Sequence, residues 1–261
     1  MLRKLTLAAA SLAILWGPLS SSSVIAQRAE QSADARKSAG AANQLTPQEQ
    51  KAGWTLLFDG HSLNGWRGYK KPDASGTRWK VEDGMLTLPP SDGKDTLGAR
   101  DVISTGTFDQ FDLTWEWKIS QGGNSGVKYF VLEDRDAAIG HEYQLIDDER
   151  HADAKVGPTR QTAAFYDVLA ASNRPIKPAG EFNTSRVVVS GNSVEHFLNG
   201  RSVLKYELDS PALREAIAKS KFKGIERFGK LQNGHILLQD HGDQVWFRNV
   251  KIRKLTSKTT A

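Results

Sequence analysis

Nine consecutive residues, Phe111 to Ile119, alternate without a break. Phe111, Leu113, Trp115, Trp117 and Ile119 fall on one side, and Asp112, Thr114, Glu116 and Lys118 on the other. A period of two marks a β-strand with one buried face, because successive side chains of an extended chain point in opposite directions. Shorter apolar runs recur at 54–58, 79–82, 85–88, 101–104, 126–132, 143–146, 186–190, 193–198, 202–207, 236–239 and 245–254. Glu82-Asp83-Gly84-Met85, Ser190-Gly191-Asn192-Ser193 and Leu198-Asn199-Gly200-Arg201 place Gly or Asn where a tight hairpin needs positive φ. One helix is predicted, with Ser210 as N-cap, Pro211 at the first position, Leu213 and Ile217 on one face, and an end near Lys221. Many antiparallel strands with one short helix predict an all-β fold, a two-sheet β-sandwich, as a single domain over 51–255 with a tail at 256–261.

The N-terminal residues follow a different pattern. Arg3-Lys4, an apolar run from Leu5 to Trp16 and small residues up to Val24-Ile25-Ala26 form the tripartite pattern of a secretory signal peptide, 1–26, with cleavage expected near Ala26. The apolar run is shorter than the roughly 20 residues needed to span a bilayer, and no later segment comes close, so no membrane span is expected. Residues 27–50 are rich in Ala, Ser, Gln and Lys and predict a disordered lead or tether. An exported chain without cysteine has no disulfides, and a periplasmic or secreted location follows as the expectation. The net charge of +5 includes Arg3 and Lys4 of the leader. Basic residues elsewhere are dispersed among acids, which argues against nucleic-acid binding.

Three strand-like runs carry polar side chains where a plain core would be apolar: Asn124-Ser125-Gly126-Val127-Lys128, Glu142-Tyr143-Gln144-Leu145-Ile146-Asp147 and Leu237-Leu238-Gln239-Asp240-His241-Gly242. Each unpaired polar group costs about 1–3 kcal/mol to bury, so these positions point to a binding groove. Glu142 and Gln144 project together, as do Gln239 and His241. Lys128 begins a face otherwise formed by Phe130 and Leu132. Such a set suits sugar hydroxyls, a divalent cation or a proton in transit, although Glu142 and Gln144 alone also fit an ordinary solvated face. His241 beside Asp240 suits proton exchange near neutrality, or equally a surface turn capped by Asp240. Neither a zinc spacing, a P-loop nor a serine-hydrolase elbow is present. Trp115 and Trp117 are expected in the core, whereas Trp66, in Leu63-Asn64-Gly65-Trp66, is expected in a loop and free to stack on a sugar ring. Arg248, on the alternating run 245–254, suits either the groove or the surface.

Four blocks give the chain a resemblance to the DUF1080 or 3-keto-disaccharide hydrolase family, also described as 3-keto-glucoside-1,2-lyase and 3-keto-2-hydroxy-glucal hydratase domains. They are Leu57-Phe58-Asp59-Gly60-His61-Ser62-Leu63-Asn64-Gly65-Trp66; Gly123-Asn124-Ser125-Gly126; Glu142-Tyr143-Gln144 with Asp147; and Leu238-Gln239-Asp240-His241-Gly242 followed by Val245-Trp246-Phe247-Arg248-Asn249. The resemblance spans residues 53–255. It implies a concanavalin A-like jelly roll with the site on its concave sheet, and cleavage of 3-keto-glucosides by C2 proton abstraction and elimination, with hydration of the glycal as a second step. On that reading His241 or Glu142 is the base, and Lys128, Arg248 or a divalent cation of unspecified identity is the electrophile. Asn124, Gln144, Gln239, Arg248 and Trp66 hold the small carbohydrate substrate, and Asp147 and Asp240 ligate the metal. A sugar 3-dehydrogenase would be a pathway partner. The rival expectation is a non-catalytic, lectin-like carbohydrate-binding domain. A laminarinase-like glycosidase fits less well, because Gln144 and Asp147 depart from the alternating acids of that motif.

Overall fold

Thirteen strands, two short α-helices and two single-turn 3-10 helices (Asp153–Lys155 and Pro158–Arg160) account for the regular structure in a computed structural model that describes residues 42–93 and 100–256. The leader 1–26, most of the expected tether and nearly all of the tail lie outside the described residues. In chain order the elements are α1 (Pro47–Lys51), β1 (Thr55–Leu56), β2 (Trp66–Gly68), β3 (Lys80–Glu82), β4 (Met85–Leu88), β5 (Val102–Ser104), β6 (Phe111–Ile119), β7 (Asn124–Val131), β8 (His141–Ile146), β9 (Asn183–Ser190), β10 (Ser193–Leu198), β11 (Arg201–Glu207), α2 (Pro211–Ala218), β12 (His235–Leu238) and β13 (Val245–Lys254). Strands β11-β10-β9-β6-β13-β4-β3, with β1 on β13, form one sheet, and β2-β5-β12-β7-β8 form the other. The result is the expected antiparallel jelly-roll sandwich.

The alternation of β6 is realised as read. Phe111, Leu113, Trp115, Trp117 and Ile119 are buried between the sheets, together with Val187, Val189, Val245 and Phe247 of its neighbours. They meet Val127, Tyr129, Tyr143, Leu145, Ile236 and Leu238 of the smaller sheet. Asp83 and Gly84, and Asn199 and Gly200, sit at positive φ in the hairpin turns that link β3 to β4 and β10 to β11.

Four expectations change. Residues 43–50 belong to the fold rather than to a tether. Thr46 caps α1 in a capping box with Glu49, Glu49 pairs with Lys251 of β13 at 2.9 Å, and Asn43 and Asn249 exchange backbone-to-side-chain hydrogen bonds. Trp66 lies in strand β2 rather than in a loop. It is 3% exposed, and its indole Nε1 donates to the Leu57 carbonyl at 2.6 Å. Phe130 does not share a face with Lys128. A bulge with Phe130 at φ 60° turns its ring into the core and sends Val131 to the opposite face, against Ile103 and Leu237. Helix α2 buries Leu213 and Ile217 as expected but ends at Ala218, which leaves Lys221 in the turn beyond.

The core also carries a polar chain. His141 Nε2 accepts from the Gly229 amide, so Nδ1 holds the proton and donates to Tyr206 Oη (3.0 Å). Tyr206 then donates to Tyr129 Oη (2.6 Å), and Tyr129 to His196 Nε2 (2.9 Å). His196 Nδ1 finally donates to the Ala163 carbonyl (2.9 Å). Every member is satisfied with both rings neutral, and burial lowers the pKa of His141 to about 3 and of His196 to about 4.

Candidate functional site

On the smaller sheet, the face turned away from the core presents Asp101, Lys128, Glu142, Gln144 and Gln239. Each alternates with a core residue of its own strand or strand end: Val102, Val127, Tyr143, Leu145 and Leu238. Lys128 and Glu142 are direct cross-strand partners, as are Gly126 and Gln144. Gln239 follows β12, and its amide donates to the Gly126 carbonyl. Three strand ends thereby converge on one patch. The outer edge of β8 is closed by the segment 163–166, whose backbone exchanges hydrogen bonds with Glu142 and Gln144.

A cavity of about 440 Å³ opens over this patch, lined among others by Asp101, Lys128, Ile139, Glu142, Lys221 and Gln239. Lys128 Nζ stands 3.8 Å from Glu142 Oε2 and 3.3 Å from the Ala138 carbonyl. Gly126 makes room for the acid, since a Cβ there would lie 2.7 Å from Glu142 Oε1. Burial raises the pKa of Glu142, opposed by the charges of Lys128 and Lys221 and reinforced by Asp101. Burial likewise raises Asp101, whose carboxylate accepts the Asp240 amide at 2.8 Å. Lys221, at the mouth beside the Tyr166 and Phe222 rings, is lowered by the protein around its amine.

Along the same face, Asn124 Oδ1, Gln144 Oε1 and Gln239 Oε1 are buried without a protein partner. Three amide groups with spare hydrogen-bonding capacity beside a charged cluster suit a polyhydroxylated ligand. At the end of the groove His151, His241 and Asp243 come together, one ligand atom of each within 4.8 Å of the others.

The structure thus brings together Lys128, Glu142, Gln144, Gln239 and Asn124, with His241 at the rim. It separates four other candidates from them. Trp66 is core. Arg248 belongs to the other sheet, where it pairs with Glu116 at 2.7 Å and stacks on Phe182. Asp147 accepts the amides of Gly122, Glu149 and Arg150 in a turn, beside a separate cavity of about 110 Å³ lined in part by Trp117 and Lys177. Asp240 forms a two-pronged ion pair with Arg78 and accepts the Gly242 amide. Both carboxylates proposed as metal ligands are therefore committed elsewhere. Asp101, Lys221 and His151 were not singled out from the sequence. Asp101 had a faint signal, an acid in register with Ile103 at the start of a strand, whereas Lys221 and His151 lie in turns with no periodicity to place them.

A model of the 3-keto-alpha-glucoside-1,2-lyase-like domain matches residues 53–253. The chain belongs to this family. A 3-keto-disaccharide hydrolase of Bacteroides thetaiotaomicron is 37% identical over 229 residues, covering 78% of this chain and 79% of that protein. A Parabacteroides distasonis protein assigned by name to the glycosyl hydrolases superposes with a TM-score of 0.74 at 31% identity, over 83% of this chain and all of its own. A second from the same organism superposes with a TM-score of 0.57 at 26% identity, over 77% and 99% of the two chains. Within this family member, no helix among the described residues is long and apolar enough to cross a membrane.

Proposed function

We propose that the protein cleaves the glycosidic bond of 3-keto-glucosides by elimination. Family membership and the names of the relatives support a carbohydrate-active hydrolase. The lyase step rests on the groove, and above all on one observation: the buried Glu142 carboxylate lies 3.8 Å from the Lys128 ammonium, in a cavity of sugar size.

A ketone at C3 acidifies the C2 proton. Glu142, its basicity increased by burial, takes that proton. The electron pair flows toward the C3 oxygen, where the Lys128 ammonium and the nearby Lys221 offset the developing negative charge. The enolate then expels the C1 oxygen. Asp101, which holds its proton to higher pH than an ordinary aspartate, donates to the departing oxygen. Water added across the resulting glycal completes a net hydrolysis. Asn124, Gln144 and Gln239 hold the ring hydroxyls through their unpaired amide oxygens. The pair of flanking carboxylates that an ordinary glycosidase places across the scissile bond is not needed.

A binding module without catalysis is disfavoured by the same geometry. Trp66 is sequestered in the core and no tryptophan lines the cavity among the described residues, whereas a buried acid set against an ammonium serves proton transfer and is of no use to a module that only binds. Glu142→Gln tests the assignment. It keeps the shape and hydrogen-bonding of the side chain, and is expected to abolish aglycone release from a 3-keto-glucoside while the melting temperature holds or rises. Release at the parent rate would refute the assignment.

A further inference from the structure

We propose that His151, His241 and Asp243 form a binding site for a divalent transition-metal ion at the end of the groove. Two segments supply the three residues: His151 lies in the turn after β8, and His241 and Asp243 lie together in the 239–244 loop between β12 and β13. The fold brings the His151 imidazole to this loop, so that one donor atom of each of the three residues lies within 4.8 Å of the others. Metal–ligand bonds of roughly 2.0–2.2 Å need those atoms closer still, which small rotations of exposed or half-buried side chains supply. Two imidazoles and one carboxylate are the donor set of zinc, manganese, iron or cobalt. Calcium and magnesium prefer oxygen alone.

The site has a supporting shell. The Asn124 amide donates to Asp243 Oδ2 at 2.9 Å and leaves the other oxygen for the ion. The rings of His151 and His241 meet edge to face at 6.1 Å. The Asp153 amide donates to His151 Nδ1 at 3.1 Å, so ligation through Nε2 requires this contact to break and the ring proton to move to Nδ1. Three protein ligands leave coordination positions open. Asn124 Oδ1 and Gln239 Oε1, both buried and unpaired, belong to the same two strand ends as Asp243's amide donor and His241. An ion here presents its open positions to whatever occupies the groove and makes His241 a ligand rather than a base. The part of the proposal in which the ion grips neighbouring sugar oxygens rests on the function proposed above; the binding itself does not.

The test is titration of the full, chelator-treated chain with cobalt(II), followed by its visible ligand-field absorbance without substrate. One equivalent should bind and produce the bands, zinc should displace it, and His241→Ala or His151→Ala should each weaken binding at least tenfold at unchanged melting temperature. No saturable band in the parent would overturn the proposal, as would bands that survive in both variants. Because the readout involves no turnover, its failure leaves the Glu142→Gln result standing, and the reverse also holds.

Discussion

Lys128 and Glu142 face each other across β7 and β8 with their charged groups 3.8 Å apart, the acid almost fully buried and the lysine nearly so. At that separation the ammonium opposes the burial penalty on the carboxylate without forming a tight hydrogen bond with it, so both groups remain available to a ligand. Lys128→Met removes this counter-charge. The pKa of Glu142 then rises further, and because a base must be ionised to act, the acidic limb of the pH–rate profile moves to higher pH. With the oxyanion partner also lost, kcat/KM is expected to fall by about 10²–10³. A profile unmoved in Lys128→Met would place the base elsewhere.

Glu142 also makes a stability prediction. Its folded pKa lies above the unfolded value, so the stability it contributes is fully present below the unfolded pKa and is lost as pH rises through the folded one. Glutamine mimics the protonated acid at every pH. The stability of Glu142→Gln relative to the parent is therefore expected to grow with pH, and urea unfolding at acidic and neutral pH measures it.

Gly126 is required for the clearance above it. Gly126→Ala places a methyl group 2.7 Å from Glu142 Oε1 and must displace the carboxylate. Activity should fall at least tenfold, about 1.4 kcal/mol of transition-state stabilisation, while the backbone of β7 tolerates alanine. Steady-state kinetics beside a melting curve separates the two effects.

Asp240 and Trp66 are structural on this account. Asp240→Ala removes the two-pronged ion pair with Arg78, whose side chain is 10% exposed, together with the acceptor of the Gly242 amide, and should cost about 1.5–3 kcal/mol in urea unfolding. Trp66→Phe loses the indole bond to Leu57, worth about 1 kcal/mol, and should leave KM unchanged.

The buried chain from His141 to His196 predicts that both rings are neutral Nδ1–H tautomers at pH 5. Their pKa values, about 3 and about 4, lie below the usual 6.5, so the unfolded state takes up more protons on acidification and stability falls across that window. Nitrogen chemical shifts of the two rings check this directly. Titration of either near 6.5 would contradict the network.

How much of this was legible in the sequence follows from what alternation can and cannot encode. Strand β6 announces its buried face because five large apolar residues repeat at period two, and Glu142 with Gln144 announces a polar outer face by the same rule. Alternation fails where the backbone breaks it: Phe130 sits at a bulge, and one residue at positive φ exchanges the faces of everything after it. It fails again for Trp66, because a three-residue strand beside Asn64-Gly65 looks like a loop. Asp147 and Asp240 are acids in the right neighbourhood whose oxygens are claimed by backbone amides and, for Asp240, by Arg78, which lies far off in the chain. Asp101, Lys221 and His151 reach the groove only through tertiary packing.

The central claim, elimination from a keto sugar, is tested most directly by giving the purified protein a 3-keto-glucoside and its unoxidised parent side by side and following aglycone release. The account predicts rapid release from the keto sugar and none from the parent, since only the ketone makes the C2 proton removable by Glu142. Equal cleavage of both would contradict it, and so would tight binding of the keto sugar without release.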